Sequence, residues 1–330
     1  MRLSKLIKGV NFIGVINSQP VVIFPNDKLM IGSITFPIEQ GDDFLIEGNV
    51  LVNHKGSKAY IYKGGVFVPY TSRYKYFCFL SEEEVLSNEH RDGLSRLSIV
   101  ENGSEYLIDI NETNLTDSFY ITQKKENSVI FMSHNSLSLL FYTKTGQRLW
   151  EYKEEDENLK INGRCIPVVD DVVVVISQDC GVPGKVQGFN IHSGEKLWEI
   201  PDAEDICPNT FFVGEDKMLY GCYTEQIDYD EESRLMLTII NPINGEIKNI
   251  EAGKACRVMG WLVTMHGRQL YYADNRRGNE IGVIDVDKRE LIERVPLNIK
   301  KKVSIGAPVV TDNKVYVFIS DLQELRVFEK

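Results

Sequence analysis

The stretch "GKVQGFNIHSGEKLWEI" at 184–200 recurs in altered form along this chain, and that recurrence limits the fold more than any other feature. "SLLFYTKTGQRLWEYK" at 138–153 matches it. In both, a strand-like run reaches a Gly and a Trp follows four residues later, Gly146 to Trp150 and Gly194 to Trp198. A third copy, "LTIINPINGEIKNIE" at 237–251, turns at Asn244-Gly245; a fourth, "GVIDVDKRELIERV" at 282–295, has Lys288-Arg289 where the Gly belongs. Weaker copies upstream turn at Asn102-Gly103, Gly64-Gly65 and Asn26-Asp27. Asn-Gly and Gly-Gly between apolar runs signal hairpins, because these residues tolerate the positive φ of a tight turn. Successive turns lie 38 to 51 residues apart, and a drifting period of that size built only from strands predicts propeller blades.

Each hairpin is preceded by a further pair of strand-like runs, as in "PVVDDVVVVIS" (167–177), "TFFVGEDKMLYGCY" (210–223) and "APVVTDNKVYVFIS" (307–320). Val, Ile, Tyr and Phe fill these runs, and Asp-Asp, Glu-Asp and Asp-Asn break them. The unit is therefore four strands, A to D, with the C–D turn at the repeated Gly. "SEEEVLSNEHRDG" at 81–93 reads as a loop holding at most a turn or two of helix. Blades bury both faces against their neighbours, so the array is stable only when closed. The chain finishes on "ELRVFEK", a C strand with no D strand after it, and "RLSKLIKG" near the start supplies the missing one. Residues 2–8 are thus expected to pair with 324–329. Seven internal turns plus one blade shared by the termini predict an all-β propeller of eight four-stranded blades, with seven as the alternative. Residues 1–330 read as a single domain.

Thr145-Gly146-Gln147-Arg148-Leu149-Trp150 and Ser193-Gly194-Glu195-Lys196-Leu197-Trp198, with Gly188 at a small-residue position, resemble the repeat of the pyrroloquinoline-quinone-type (PQQ-like) propellers. In such a repeat the Gly makes the turn and the Trp docks its apolar face between neighbouring blades. The resemblance implies the fold but no cofactor. The family's enzymes are implied to be long, exported quinone- and calcium-dependent dehydrogenases with adjacent active-site cysteines, and this chain has no Cys-Cys pair. A non-enzymatic member is expected, with no cofactor and no metal.

The charge balance, 37 basic against 48 acidic residues for a net charge of −11, disfavours a nucleic-acid partner, which needs cations to displace counterions. No apolar run reaches the ~18 residues of a membrane span, and no signal-peptide pattern opens the chain, so a cytoplasmic protein with reduced thiols is expected. The five histidines show no metal-binding spacing, and neither GxSxG nor a phosphate-binding glycine loop is present. Asp228-x-Asp230-x-Glu232 alternates carboxylates but lacks the later Gly and Glu of a calcium loop. Cys165, Cys207 and Cys256 each fall where an A strand should begin; small apolar packing at a crowded inner rim accounts for them, with a channel site as the alternative.

Loop charge carries the functional reading. On a propeller the B–C and D–A loops share one face, the top. Residues 81–93 sum to −4, 153–163 to −2, 201–209 to −3 and 224–234 to −4, whereas Lys300-Lys301-Lys302 give +3. Long ordered loops on a rigid scaffold are commonly functional, and tyrosines anchor interfaces. Glu154, Glu155, Asp156, Asp228, Tyr229, Asp230, Glu231 and Glu232 are accordingly the expected contacts for a protein partner with a basic surface. An immunity or antitoxin-like inhibitor is the concrete version. A lyase or hydrolase with a site at the channel mouth is the alternative, followed by a small-molecule or glycan sensor using Trp261 and channel tyrosines.

Overall fold

The structure is a computed structural model. It describes residues 1–16, 19–25, 28–31, 34–38, 44–47, 50–53, 58–63, 65–71, 76–79, 84–91, 94–101, 104–110, 119–125, 128–133, 138–143, 147–156, 158–162, 166–179, 182–201, 210–225, 232–255, 258–274, 280–299 and 303–330. The chain divides into two compact units: Met1–Val10, Asp156–Ile191 and Glu195–Lys330 form the first, Asn11–Glu155 and His192–Gly194 the second.

The described strands form eight antiparallel sheets, each a meander whose A to D strands follow one another in space. Sheet 1 comprises Phe12–Ile16, Gln19–Phe24, Lys28–Ile31 and Ile34–Pro37; sheet 2 comprises Phe44–Glu47, Val50–Asn53, Lys58–Lys63 and Val66–Thr71. Sheet 3 holds Tyr76–Phe79, Glu84–Arg91, Leu94–Glu101 and Ser104–Ile110; sheet 4 holds Phe119–Lys125, Ser128–Ser133, Ser138–Thr143 and Arg148–Lys153. In sheet 5 the A position is split between Lys160–Ile161 and Val168–Val169, followed by Val172–Asp179, Val182–Asn190 and Lys196–Ile200. Sheet 6 is Phe212–Val213, Leu219–Thr224, Ser233–Ile240 and Ile247–Ala255, and sheet 7 is Val263–His266, Gln269–Asp274, Glu280–Asp285 and Glu290–Pro296. Sheet 8 takes Val309–Val310, Lys314–Ile319 and Glu324–Glu329 from the end of the chain and Arg2–Lys8 from its start. The fold is a β-propeller. Among the described residues, no helix is long and apolar enough to cross a membrane.

The pairing of the two chain ends follows the expected register, from Arg2 opposite Glu329 to Lys8 opposite Glu324, with a bulge at Ser4. Two sequence expectations need correction. Asn26-Asp27 joins strands B and C of sheet 1, and its C–D connection is residues 32–33. A hairpin signal marks any tight turn, so it does not say which pair of strands it joins. Glu84–Arg91, expected in a loop, is the B strand of sheet 3, paired on both sides. Its ladder partners impose the extended backbone where the polar sequence shows no alternation, and its charges leave the tally of top loops.

Central strands are apolar on both faces because each face meets a different neighbour. In Gln269–Asp274, Leu270 and Tyr272 pack into the core shared with sheet 6, while Tyr271 and Ala273 pack into the core shared with sheet 8. Sheets 5 and 6 meet through Val172, Val174, Ile176, Leu219 and Ile240. In the second unit, sheets 1 and 2 meet through Ile16, Leu29, Leu51 and Tyr60, with Phe36 edge-on to Phe67 at 5.1 Å. D strands alternate instead between exposed and half-buried positions, as in Glu290–Pro296.

The repeat motif works as its residues imply. The Trp198 ring lies across Gly188, its cross-strand partner, where an added Cβ would fall 2.2 Å from the ring. The same ring covers Gly245 in the next C–D turn, and its Nε1 donates to the Pro242 carbonyl at 2.8 Å. Trp150 covers Gly194 in the same way and stacks on its partner Phe141 at 3.6 Å. In sheet 6 the equivalent pair is Thr238 and Asn249, joined by a hydroxyl-to-amide hydrogen bond of 2.8 Å. Gly194, Gly245 and Arg289 all adopt positive φ, at 72°, 73° and 60°, so the fourth copy keeps the left-handed turn without its glycine.

Candidate partner-binding surface

The B–C connection of sheet 6 leaves Leu219–Thr224 and returns into Ser233–Ile240. Its stem is closed by the Glu225 N–H donating to the Arg234 carbonyl at 3.1 Å and by an ion pair between their side chains at 2.5 Å. Glu232, at the returning end, accepts from Arg294 Nη2 at 2.7 Å. Arg294 in turn donates from Nε to both Glu280 oxygens, at 2.9 and 3.0 Å. Glu280 is buried, with 7% of its side chain exposed, directly opposite the fully buried Asp274. The Tyr272 hydroxyl reaches Glu280 Oε1 at 3.4 Å, its ring lying over Gly282.

Burial raises the Glu280 carboxyl above the usual range; Arg294 pulls it down, and the Asp274 and Glu232 charges add to the rise. Burial likewise raises the Tyr272 phenol, helped by Glu280. Burial disfavours the Arg294 charge, yet Glu280 and Glu232 outweigh it and hold the guanidinium ionised. An arginine between a buried and an exposed carboxylate is a clamp, tying the sheet 6 loop to sheet 7.

The expected contact residues separate into four groups. Asp228, Tyr229, Asp230 and Glu231 lie outside the described residues. Glu232 is 44% exposed but committed to Arg294, so it acts as an anchor and not as a loose steering charge. Glu154 departs from the expected wet rim: it is 3% exposed and accepts from the Tyr152 hydroxyl at 2.8 Å. It sits just past the end of a D strand, where the tyrosine two residues earlier turns it inward. Glu155 is exposed. Asp156 is also exposed, and its Oδ1 accepts from the Asn158 backbone and side-chain nitrogens, both at 2.9 Å, which fixes a local turn.

Sequence reading missed the Glu280–Arg294 clamp. The available signal was a carboxylate at each end of the sheet 7 B–C hairpin, Asp274 and Glu280, where strands otherwise carry apolar residues. Cys165, Cys207 and Cys256 lie outside the described residues. Cys222 is fully buried against the core between sheets 6 and 7, and burial pushes its thiol up to about 12.

Comparison with known proteins agrees with this architecture. Residues 110–206 match the family described as outer membrane protein assembly factor BamB, a stretch that contains both Trp copies of the PQQ-like repeat. The computationally designed Ika8 protein is similar over 100% of this chain and 98% of its own, at 14% identity and a TM-score of 0.61. A catalytically inactive variant of virginiamycin B lyase from Staphylococcus aureus, solved with quinupristin, is similar over 87% of this chain and 94% of its own, at 15% identity and a TM-score of 0.53. BamB from Moraxella catarrhalis aligns over 99% of both chains at 10% identity and a TM-score of 0.42. No curated protein sequence matches the chain. The class is thus a β-propeller, with similarity to a PQQ-like repeat family over residues 110–206.

Proposed function

We propose that this chain is a non-catalytic, cytoplasmic protein-binding propeller that presents carboxylates from its B–C and D–A loops to a protein with a basic surface. An immunity or antitoxin-like inhibitor of a basic toxin is the form we favour. The observation that carries the reading is the clamped sheet 6 loop. Glu225–Arg234 and Glu232–Arg294 hold both ends of the segment that bears Asp228, Tyr229, Asp230 and Glu231. Fixing a loop's ends before binding lowers the ordering cost of association. Acids not used in the clamp then supply long-range attraction to a cationic partner. Similarity to an assembly-factor family is consistent with a scaffold role. The test is capture from a source-cell extract on the immobilised protein at low salt, against a column of the Asp228→Lys/Asp230→Lys/Glu231→Lys variant. A basic protein should elute from the first column on raising salt and be missing from the second. Equal recovery from both columns removes the acidic loop from the account.

A lyase is the second reading, and the buried Asp274–Glu280 pair with Tyr272 at the loop end of sheet 7 is the observation in its favour. The likeness to virginiamycin B lyase names a first substrate to try. Loss of quinupristin on incubation with the protein, abolished by Glu280→Gln, would establish that reading; an unchanged compound removes it.

A further inference from the structure

A second surface, opposite in charge, lies on strand Arg2–Lys8. The strand is last in sheet 8, and among the described residues nothing pairs with its outer edge. It is anchored inward by its ladder to Glu324–Glu329 and by Ser4 Oγ donating to the Val327 carbonyl at 3.1 Å. Leu3 and Leu6 are 46% and 41% exposed. They stand opposite Phe328 and Arg326, so they share one face of the sheet across the bulge.

Charge balance sets this strand apart: it holds Arg2, Lys5 and Lys8 and no acid, whereas the D strands of sheets 4 to 7 each contain a glutamate. Lys153 and Lys254 there likewise have no ion pair among the described residues. On or beside other D strands, Arg148 pairs with Glu151, Lys196 with Glu199, Lys248 with Glu246, and Arg294 with Glu280 and Glu232. Arg2, Lys5 and Lys8 have no ion pair among the described residues, and the strand contains no acid. Glu329 and Glu324 face Arg2 and Lys8 in register, but Glu324 pairs with Arg326 at 3.6 Å. A chain of net charge −11 thus carries a seven-residue edge strand with three cations that have no ion pair among the described residues.

An open edge is a template for another strand. Edge lysines and a bulge discourage indiscriminate pairing. Two exposed leucines serve no such purpose, and cations select among incoming strands by charge. Antiparallel addition of the same strand from a second copy would set Arg2 against Lys8 and Lys5 against Lys5, which like-charge repulsion opposes.

We infer that the outer edge of Arg2–Lys8 accepts an extended acidic segment of a protein partner by strand addition. The added strand lays alternate apolar side chains beside Leu3 and Leu6, and its carboxylates toward Arg2 and Lys5 on the opposite face, while Lys8 ends the leucine face. This surface is independent of the acidic loop, so either can fail alone.

The test is hydrogen exchange on the whole chain with two synthetic peptides, Glu-Val-Glu-Val-Glu-Val-Glu and its lysine counterpart. The acidic peptide should slow exchange within residues 3–8 by about threefold or more, and the effect should fade as salt rises from about 0.05 to about 0.5 M. The lysine peptide should leave these amides unchanged. In the Lys5→Glu/Lys8→Glu variant, with folding checked by circular dichroism, the preference should reverse. Equal protection by both peptides, protection confined to other sheets, or no response to the acidic peptide at about 1 mM would overturn the inference. So would concentration-dependent self-association that protects the same strand in the peptide-free protein.

Discussion

Gly188 and Trp198 are one feature in two residues, because the ring occupies the volume a Cβ would need. Gly188→Ala should therefore cost about 1–3 kcal/mol in urea denaturation through overpacking. A cost near zero would show that the ring has somewhere else to go. Arg289 tests the turn from the other side. A non-glycine residue in the left-handed region carries a penalty of about 1–2 kcal/mol, partly offset by the greater freedom glycine has when unfolded. Arg289→Gly should stabilise the protein by about 0.5–1 kcal/mol, and a loss of stability would mean that the arginine side chain contributes more than its backbone strain. Cys222 should resist a thiol reagent in the folded protein and react only on unfolding, since a buried thiol raised to about 12 is protonated at neutral pH.

Among elements, the closing strand and the A–B turns carry the stability argument. Removing residues 1–8 should leave the edge of Glu324–Glu329 open and promote aggregation in light scattering; a monomeric truncation with unchanged melting would contradict that role. The A–B turns of sheets 5 to 8 are joined in series by polar contacts: ion pairs of Asp170 with Lys217 at 2.8 Å and of Asp216 with Arg268 at 3.0 Å, and a hydrogen bond between His266 Nε2 and Asp312 Oδ1 at 3.1 Å. Arg268 also binds Asp287 and the Tyr220 hydroxyl. Burial alone would raise the Asp216 carboxyl, but the Tyr220 hydroxyl, the Met218 N–H and Arg268 outweigh it and hold it low. Asp287 is held low chiefly by its hydrogen bond from Arg268. A depressed carboxyl stabilises the fold above its unfolded value near 3.9 and loses that contribution as pH falls through its folded value. Arg268→Met should thus lower Tm at neutral pH, with the gap to the wild type closing below about pH 4. The acids in this series were legible as the Asp-Asp, Glu-Asp and Asp-Asn that break paired apolar runs. Their partners were not, because Lys217 and Arg268 come from the next repeat and only packing brings them near. Glu84–Arg91 escaped notice for a related reason: its strand is held by ladders on both sides, and ladder partners leave no local side-chain pattern.

For the whole molecule, architecture was far more readable than activity. A turn glycine with a Trp four residues on has one geometric use, and two good copies were enough to recover strand order and the pairing of the chain ends. A surface charge has many uses, and its meaning depends on neighbours that are distant in sequence. Glu154 turned inward to Tyr152 and Glu232 became an anchor for Arg294, though both counted equally in the loop charge. The acids left to the proposed recognition are Asp228, Asp230 and Glu231, outside the described residues, with Glu155 and Asp156 exposed in their own units. Steering by such groups acts on association, while buried anchors act on dissociation. The decisive measurement is stopped-flow association of the captured basic protein with the wild type and with Asp228→Lys/Asp230→Lys/Glu231→Lys across a range of ionic strength. The triple reversal should slow association by about one to three decades at low salt, flatten its salt dependence and leave dissociation within about threefold. An unchanged association rate with an unchanged salt slope would contradict the acidic face as the recognition surface.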